Sequence, residues 1–445
     1  MRNIKITHVS PNQGVLQFSG YNLIILTVTL VAIYLTLQNF LRFGIGIIPS
    51  AVSGIWVLIP LLIWLFQLPN LITLKLRWTV IGPTFFFIGI LSLYAISIAL
   101  TEGWQTGFFS FISYGLWLGL FTWLISTPFY IGKKLTSLLL ILVALTNALP
   151  ILYEAWSGDI LMKVVTVGDT VRRYGIATSI AILGLYLAVG IMMSLSTYFS
   201  SDQTFKDKLI HVSIILILSV ALLAVNIRGP VIYLLFALLA AIFLRKGLLF
   251  SFKLLFFSMI MLLIIILIIP SSLDYFIARA NFILDALTSR DAGNQVRFQI
   301  YSQTFSHILN NPRYIFVGDG PGMLSLVAES QGRKIFQTES SLLQAVLEIG
   351  LVGMLPVFFL YANIAAHIWN FRKHPWVYNH AEIPATLLIV CLQCVTHESF
   401  KSWEGSLLLV LLTGLNCRLL IETRQRSPAQ KSELKMIVNG HAIKA

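Results

Sequence analysis

Residues 209–244 read LIHVSIILILSVALLAVNIRGPVIYLLFALLAAIFL, two apolar runs separated by the short turn IRGP at 227–230. The first run, 209–226, has the length that an α-helix needs to cross the hydrocarbon core of a bilayer. The second run, 230–244, is shorter and could form a broken or partly buried helix. Neither run alternates between apolar and polar residues, as the strands of a membrane barrel do, so both runs predict helices.

The rest of the chain repeats this pattern. Of its 445 residues 57% are hydrophobic and only 11% are charged, and its mean hydropathy is +0.84. A soluble domain carries about a quarter charged residues. The composition therefore predicts an all-α, polytopic membrane protein with about twelve transmembrane helices. The predicted spans are 21–40, 44–66, 79–100, 107–127, 135–153, 176–198, 209–226, 230–244, 250–270, 340–369, 383–396 and 405–421.

These spans divide the chain into four parts. Residues 1–270 hold transmembrane helices 1–9, and residues 340–421 hold helices 10–12. Between them, residues 271–339 form a large polar loop in which we expect amphipathic helices. Residues 422–445 are a polar tail, which we expect to be disordered.

Lysine and arginine predict the orientation of the chain, because the cytoplasmic loops of membrane proteins carry an excess of both. With a cytoplasmic N-terminus, every loop on the inner face is basic, and the even number of spans puts the C-terminus in the cytoplasm too. The basic residues of these inner segments are Arg2, Lys5, Lys75, Arg77, Lys133, Lys134, Lys206, Lys208, Arg245, Lys246, Arg372 and Lys373. The loop 271–339 then lies outside. The net charge of +13 reflects this bias and does not indicate nucleic acid binding.

Arginines also occur on the predicted outer face, where short loops should carry few of them. Arg172 and Arg173 lie in the loop 154–175, and Arg228 follows the seventh span. An arginine at a membrane boundary extends toward lipid headgroups or meets an anion. For Arg228 we favour an anion, because a sharp break between two spans would hold its guanidinium at the membrane face. Such a cluster indicates a lipid-linked phosphate or pyrophosphate as the ligand. Solvation or headgroup contact suffices for Arg279, Arg290, Arg313 and Arg333.

An amphipathic segment and a glycine-rich turn lie within the large loop. Arg297 opens the segment 297–305, which predicts an interfacial helix with Phe298, Tyr301 and Phe305 toward lipid or protein. Arg297 is then either a solvated residue or a second ligand of the anion. The turn 318–322 contains three glycines, and it either folds the loop back or presents backbone amides to an anion.

The end of the loop has two interpretations as well. Glu339 and Ser340 stand directly before the apolar run of the tenth span. They mark a helix start, with Thr338 as the cap and an acidic residue that favours the helix dipole. Alternatively, Glu339 is a carboxylate at a membrane interface, where desolvation would make it a base.

Several chemistries have no support in the sequence. The chain contains no P-loop, no dinucleotide-binding glycine fingerprint and no zinc protease motif, so nothing indicates nucleotide hydrolysis or metal-dependent proteolysis. Cys391 and Cys394, with His397 nearby, have the spacing of metal ligands. In an apolar helix two such cysteines are more often small packing residues, and we expect no metal.

As a whole, the pattern resembles the O-antigen ligase and Wzy-type polymerase superfamily, bacterial glycosyltransferases of the membrane-embedded GT-C class. The shared features are the span number, one large outer loop late in the chain, Arg228 near the outer end of a middle span and Arg297 in the loop. The ligases carry a histidine, a small polar residue, nine further residues, a glycine, and a glycine or polar residue three positions later. The positions that fit this spacing are Glu339, Ser340, Gly350 and Gly353. The chain departs from the ligases where Glu339 replaces the histidine, and this departure favours a polymerase.

The resemblance implies glycan transfer without cofactor or metal on the outer face of the bacterial inner membrane. Arg228 and Arg297 would bind the pyrophosphate of an undecaprenyl-pyrophosphate-linked oligosaccharide and stabilise the leaving group. Glu339 would deprotonate the acceptor sugar hydroxyl. Further contacts with the pyrophosphate or the glycan are implied for Arg172, Arg173, Tyr301 and Ser340. The implied partners are membrane lipids and a chain-length regulator of the Wzz type.

The leading hypothesis is a polymerase that joins polysaccharide repeat units. A ligase that transfers the glycan to lipid A-core or to a protein is an alternative, and only the acceptor distinguishes the two. A transporter or flippase would bury charges at mid-membrane and often shows internal repeats, whereas most spans here lack ionisable centres and we find no repeat. A scaffold without chemistry would tolerate conservative changes at Arg228, Arg297 and Glu339.

Overall fold

The computed structural model describes residues 78–115, 118–158, 164–167, 170–173, 179–200, 203–225, 227–246, 292–324, 338, 340–397 and 403–441. The predicted spans 21–40, 44–66 and 250–270 lie outside these residues. In chain order, the described elements are α1 (Trp78–Glu102), α2 (Trp104–Gly115), α3 (Leu118–Ser126), α4 (Phe129–Ser157), β1 (Val164–Val167), β2 (Thr170–Arg173), α5 (Ile180–Tyr198), α6 (Phe205–Val225), α7 (Arg228–Lys246), α8 (Ala292–Asn310), α9 (Pro312–Phe316), α10 (Ser341–Asn370), α11 (Pro375–Asn379), α12 (Glu382–Thr396) and α13 (Trp403–His441).

The protein is an all-α polytopic membrane protein, as predicted. Within the described residues, 8 helices are long and apolar enough to cross a membrane, and α12 is a shorter apolar helix. Every predicted span that falls on these residues coincides with a helix, although the total of about twelve stays a prediction. The weak span after the turn 227–230 is the unbroken helix α7, because all its residues are compatible with a helix once Pro230 occupies the first turn. One short antiparallel hairpin, β1–β2, pairs Val164 with Arg173.

Helix α5 lies at the centre of the bundle and packs against α4, α6, α7 and α12. Nearly all its side chains are buried, and Leu183, Leu185 and Leu187 have no exposed surface. Small residues bring its neighbours close, as in other membrane bundles. A Cβ atom at Gly184 would lie 2.5 Å from Cγ of Pro230, so this glycine lets the start of α7 rest against α5.

Helix α10 is broken near its start. Gly350 has φ 70° and ψ 168°, a left-handed conformation that an L side chain rarely adopts. The break divides α10 into a first segment, 341–349, and a second segment, 351–370. A break inside a span frees backbone carbonyls, which must then find donors within the protein.

Buried charges are paired at one end of the bundle, which we call the basic end. Arg245 forms a 2.5 Å ion pair with Glu382, and Arg418 forms a 3.0 Å ion pair with Glu422. The ammonium of Lys133, which is 7% exposed, donates to a backbone carbonyl of α5 at 3.2 Å. The Arg245 pair joins α7 to α12, and the Lys133 contact joins α4 to α5. The Arg418 pair lies within α13, where the Glu422 carboxylate also accepts the amide of Phe129 at the start of α4.

The tail after residue 422 differs from the prediction of disorder. Helix α13 leaves the apolar region near Arg424 and continues to His441. Nine of the residues 425–441 are alanine, glutamine, glutamate, lysine, arginine, leucine or methionine, which favour a helix. The polarity of the tail shows that it leaves the membrane and does not by itself prevent a helix.

Candidate functional site

At the end of the bundle opposite the basic end, two tyrosines meet at the last residue of α12. Tyr233 of α7 forms a hydroxyl–hydroxyl hydrogen bond with Thr396. Tyr301 of α8 donates to the backbone carbonyl of Thr396 at 3.3 Å. Helices α7 and α8, which are far apart in sequence, are therefore held at one residue.

The start of α10 is fixed at the next residue. Both the amide and the hydroxyl of Ser341 donate to the backbone carbonyl of His397, at 3.1 and 2.9 Å. We call Tyr233, Tyr301, Ser341, Thr396 and His397 the junction. Since the C-terminal carbonyls of a helix lack partners within it, the junction satisfies the end of α12 with donors from two other parts of the chain, α8 and α10.

The junction brings together the elements that carry the predicted catalytic residues. Arg228 begins α7 and lies five residues before Tyr233, or about 7.5 Å along the helix. Arg297 lies in α8, four residues before Tyr301 and so about 6 Å from it along the axis and on the same helical face. Glu339 lies outside the described residues, two positions before Ser341. The side chains of Arg228 and Arg297 also lie outside the described part.

The backbone at the junction favours an anion. Helices α7 and α10 both begin there, so the partial positive charge of two helix N-termini faces the same region. The opposing negative end of α12 is satisfied by the hydroxyl of Tyr301 and by Ser341. This arrangement suits a phosphate or pyrophosphate better than a cation.

The structure changes the predicted start of α10. Ser340, not Thr338, is the N-cap, because its hydroxyl accepts the amide of Leu343 at 3.4 Å. The hydroxyl of Thr338 donates to the carbonyl of Ser340 at 2.7 Å. Ser340 is only 2% exposed, and its hydroxyl serves as the cap of α10. The glycan contact that the resemblance implies for Ser340 stays a prediction.

The remaining predicted contacts differ in their placement. Tyr301 belongs to the junction, whereas Phe298 and Phe305 on the same helix are about half exposed. Arg172 and Arg173 lie in β2, which packs against α6. The contacts of these two arginines with the pyrophosphate or the glycan stay a prediction.

The glycine-rich turn folds back onto the break in α10. The amides of Asp319 and Gly320 donate to the carbonyls of Leu347 and Glu348 at 2.9 and 2.7 Å. A Cβ atom at Gly318 would lie 2.6 Å from the backbone of α10, so only glycine permits this approach. The turn is therefore architectural, and its amides supply the donors that the helix break requires.

A buried carboxylate that the sequence analysis did not consider lies at this contact. Glu348 is 1% exposed, and its Oε2 accepts the amide of Gly322 and the hydroxyl of Tyr114, each at 2.8 Å. Its Oε1 accepts the side-chain amide of Gln344 at 2.7 Å. The signal in the sequence is a single acidic residue inside an apolar run, two positions before Gly350.

No metal site is evident in the described part of the chain, where no three His, Cys, Asp or Glu residues group together. Cys391, Cys394 and Cys417 are free thiols within helices and serve as packing residues.

The fold and the junction together define a class, a polytopic helical membrane protein with a polar, anion-favouring site built from helix ends at one face. Residues 213–358 match the O-antigen ligase family model, Wzy_C. This match confirms the resemblance to the O-antigen ligase and Wzy-type superfamily, and the matched segment contains Arg228, Arg297 and Glu339.

The chain was also compared with solved structures and with curated protein sequences. The chain is similar to a chain in a solved structure described as "Structural coordination of polymerization and crosslinking by a peptidoglycan synthase complex", with 16% identity, a TM-score of 0.43, and coverage of 79% of this chain and 99% of that one. No curated protein sequence matches the chain.

Proposed function

We propose that this protein is a glycosyltransferase that polymerises polysaccharide repeat units at the outer face of the bacterial inner membrane. It transfers a glycan from undecaprenyl pyrophosphate to a lipid-linked acceptor repeat unit. The observation that carries the proposal is the junction. There, hydrogen bonds at Thr396 and His397 hold the first turns of α7 and α10 and the helix α8, which contains Arg297. The family match over 213–358 supports the reaction class.

The orientation follows from charge. The basic end carries Lys133, Arg245, Arg372 and Arg418, and an excess of lysine and arginine favours the cytoplasmic side. The junction lies at the other end of the same helices and therefore faces outward. A substrate that reaches it has already crossed the membrane on its lipid carrier, so the reaction needs no nucleotide sugar.

The proposed chemistry is a single displacement at the anomeric carbon. The acceptor hydroxyl oxygen forms a bond with this carbon while the bond to the pyrophosphate oxygen breaks. Glu339 takes the proton of the hydroxyl, and undecaprenyl pyrophosphate leaves with the electron pair. Arg228 and Arg297 stabilise the negative charge that develops on the pyrophosphate, an electrostatic role that fixed guanidinium groups perform without a metal.

A ligase is the second candidate, because the matching family model is described as O-antigen ligase. The chemistry at the donor would be the same, and the acceptor would be lipid A-core or a protein. Glu339 in the place of the ligase histidine supports the polymerase. A Wzz-type chain-length regulator would be a partner of the polymerase only.

The test is the surface glycan of a strain from which this gene has been deleted. A polymerase deletion leaves single repeat units on the carrier or the core, whereas a ligase deletion leaves long polymer on undecaprenyl pyrophosphate. Complementation with the wild-type chain must restore the missing product. Unchanged glycan in the deletion strain would contradict both candidates.

A further inference from the structure

The first segment of α10 is a short rod held at both ends. At its start, Ser341 is bonded to the carbonyl of His397 in the junction. At its far end, about 10 Å deeper, the amides of the glycine turn donate to the carbonyls of Leu347 and Glu348. Glu339 lies two residues before the start of this rod in the sequence, so we expect its position in the site to depend on the position of the rod.

The Glu348 carboxylate ties this rod to its surroundings. Tyr114 of α2 and the amide of Gly322 both donate to Oε2 at 2.8 Å. Tyr94 of α1 also reaches the same region, where its hydroxyl donates to the carbonyl of Val317 beside the turn. The helices α1 and α2 and the turn therefore all converge on the break, and a displaced Glu348 side chain would release the rod from two of them, α2 and the turn.

A second chain of hydrogen bonds leads from this carboxylate back toward the site. Gln344, one helical turn before Glu348, donates to Oε1 at 2.7 Å. Its amide oxygen accepts the hydroxyl of Thr338 at 3.4 Å, and Thr338 in turn donates to the carbonyl of Ser340 at 2.7 Å. Thr338 and Ser340 flank Glu339 in the sequence, so this chain of contacts reaches the backbone on both sides of it.

We propose that Glu348 is a positioning residue for the transfer reaction, one that holds the first segment of α10 so that Glu339 keeps its place beside the acceptor hydroxyl. This inference rests on the proposed function. Glu348 itself is 1% exposed and acts through Gln344 and the rod, not by touching the substrate. A carboxylate suits the task because it accepts hydrogen bonds on both oxygens, and here it receives donors from three separate parts of the chain.

Two kinds of change separate positioning from simple stability. Glu348→Ala removes all three hydrogen bonds at the break. Glu348→Gln keeps the shape, and the network survives if Gln344 turns its amide so that its oxygen accepts and its nitrogen donates to Thr338. Gln344→Met leaves the carboxylate with Tyr114 and Gly322 but cuts the connection toward Glu339.

A matched control lies in the same part of the bundle. Tyr114 and Tyr361 both line one apolar cleft between α1, α2, α10 and α13. Tyr361 lies on the second segment of α10, beyond the break, and its hydroxyl forms a 2.8 Å hydrogen bond with the hydroxyl of Thr413 in α13. Tyr361→Phe therefore removes a comparable hydrogen bond without touching the rod.

The experiment measures initial rates of the purified full-length protein in detergent. The substrate is the undecaprenyl-pyrophosphate-linked repeat unit extracted from the deletion strain. Each rate is divided by the amount of folded protein, which thermal unfolding determines. We expect Glu348→Ala to lower kcat about 100-fold with KM within about twofold, because a base misplaced by about 1 Å loses this much. Gln344→Met should lower kcat about tenfold, Glu348→Gln only a few-fold, and Tyr361→Phe not at all.

The outcomes are distinct. Wild-type kcat per folded molecule in Glu348→Ala, or a rise in KM in place of the fall in kcat, would overturn the inference. If Glu348→Ala does not fold, Gln344→Met decides, since it must lose kcat at unchanged melting temperature. A wild-type protein that transfers no glycan would instead refute the proposed function.

Discussion

The two ends of the bundle are held together by different kinds of contact. At the basic end, α7 and α12 are joined by the buried ion pair of Arg245 and Glu382. At the junction, α7 and α12 are joined by the neutral hydroxyl groups of Tyr233 and Thr396. The junction therefore holds its helices together with neutral hydrogen bonds, and Arg228 and Arg297 are not required to join these helices. Removal of charge should therefore affect stability at one end and activity at the other.

The largest effect is expected for the charges of the site. Arg228→Ala, Arg297→Ala or Glu339→Ala should abolish long-chain glycan, because loss of one group that stabilises transition-state charge costs about 100-fold to 1,000-fold in rate. The measurement is the glycan ladder of the complemented deletion strain, with protein amount in the membrane followed by immunoblot.

The control for these variants is an arginine of the basic end. Arg372→Ala should restore the full ladder, because Arg372 stacks on Trp369 and lies far from the junction. Full-length polymer in all three site variants would refute the proposed mechanism. Arg228→Lys should retain only part of the activity, since lysine keeps the charge but loses the planar fork that binds phosphate.

The next effect belongs to the basic end. Arg245→Ala should lower the free energy of unfolding by about 3 kcal/mol, because it leaves the buried carboxylate of Glu382 without its ion pair. Thermal unfolding in detergent measures the loss, and the transfer rate per folded molecule should stay at the wild-type value. Lys246→Ala, at the exposed next position, should change neither quantity, and equal losses in the two variants would contradict the role of the pair.

A smaller loss is expected at the break in α10. Gly350→Ala should destabilise the protein by about 2 kcal/mol, because alanine resists the left-handed φ and its Cβ would lie 2.6 Å from the backbone of Phe316. Gly89→Ala in α1 is the matched control, since nothing lies within 4 Å of a Cβ atom there. Thermal unfolding of both variants measures the difference. Equal stability of Gly350→Ala and Gly89→Ala would mean that the fold does not require glycine at the break.

The smallest effect tests the junction itself. Thr396→Val removes the hydroxyl that meets Tyr233 but keeps the carbonyl that accepts from Tyr301, so it should cost about 1 kcal/mol. Thr146→Val, which loses only a hydroxyl bonded within its own helix, provides the reference. A larger loss of activity than of stability in Thr396→Val would show that the alignment of α7 matters to the reaction.

Much of the fold could be predicted because a membrane span leaves a strong signal in the sequence. Within the described residues the apolar runs predicted the correct helices, and the turn at 227–230 correctly marked the break between α6 and α7. The junction could not be predicted, since Tyr233, Tyr301 and Thr396 are ordinary residues that meet only through tertiary packing. The capping role of Ser340 was missed for a related reason, because Thr338 and Ser340 are equally suited by type.

Glu348 shows the limit of reasoning from hydropathy. A single carboxylate hardly changes the mean hydropathy of a long apolar run, so the pattern that predicts the tenth span gives no sign of a role for Glu348. Its partners come from α2 and from the glycine turn, both distant in sequence. The sequence left two interpretations of the turn open, and the acceptors on α10 that identify it as architectural became apparent only in three dimensions.

The acceptors that hold α8 and α10 at the junction are main-chain carbonyls of Thr396 and His397. Every amino acid carries such a carbonyl, so point substitutions at these two positions do not delete those two acceptors. The side chains around the site are then free to change while the helix ends keep their places. For the proposed glycosyltransferase, another sugar preference can then arise through side-chain substitutions around the site while the backbone frame of the helix ends is kept.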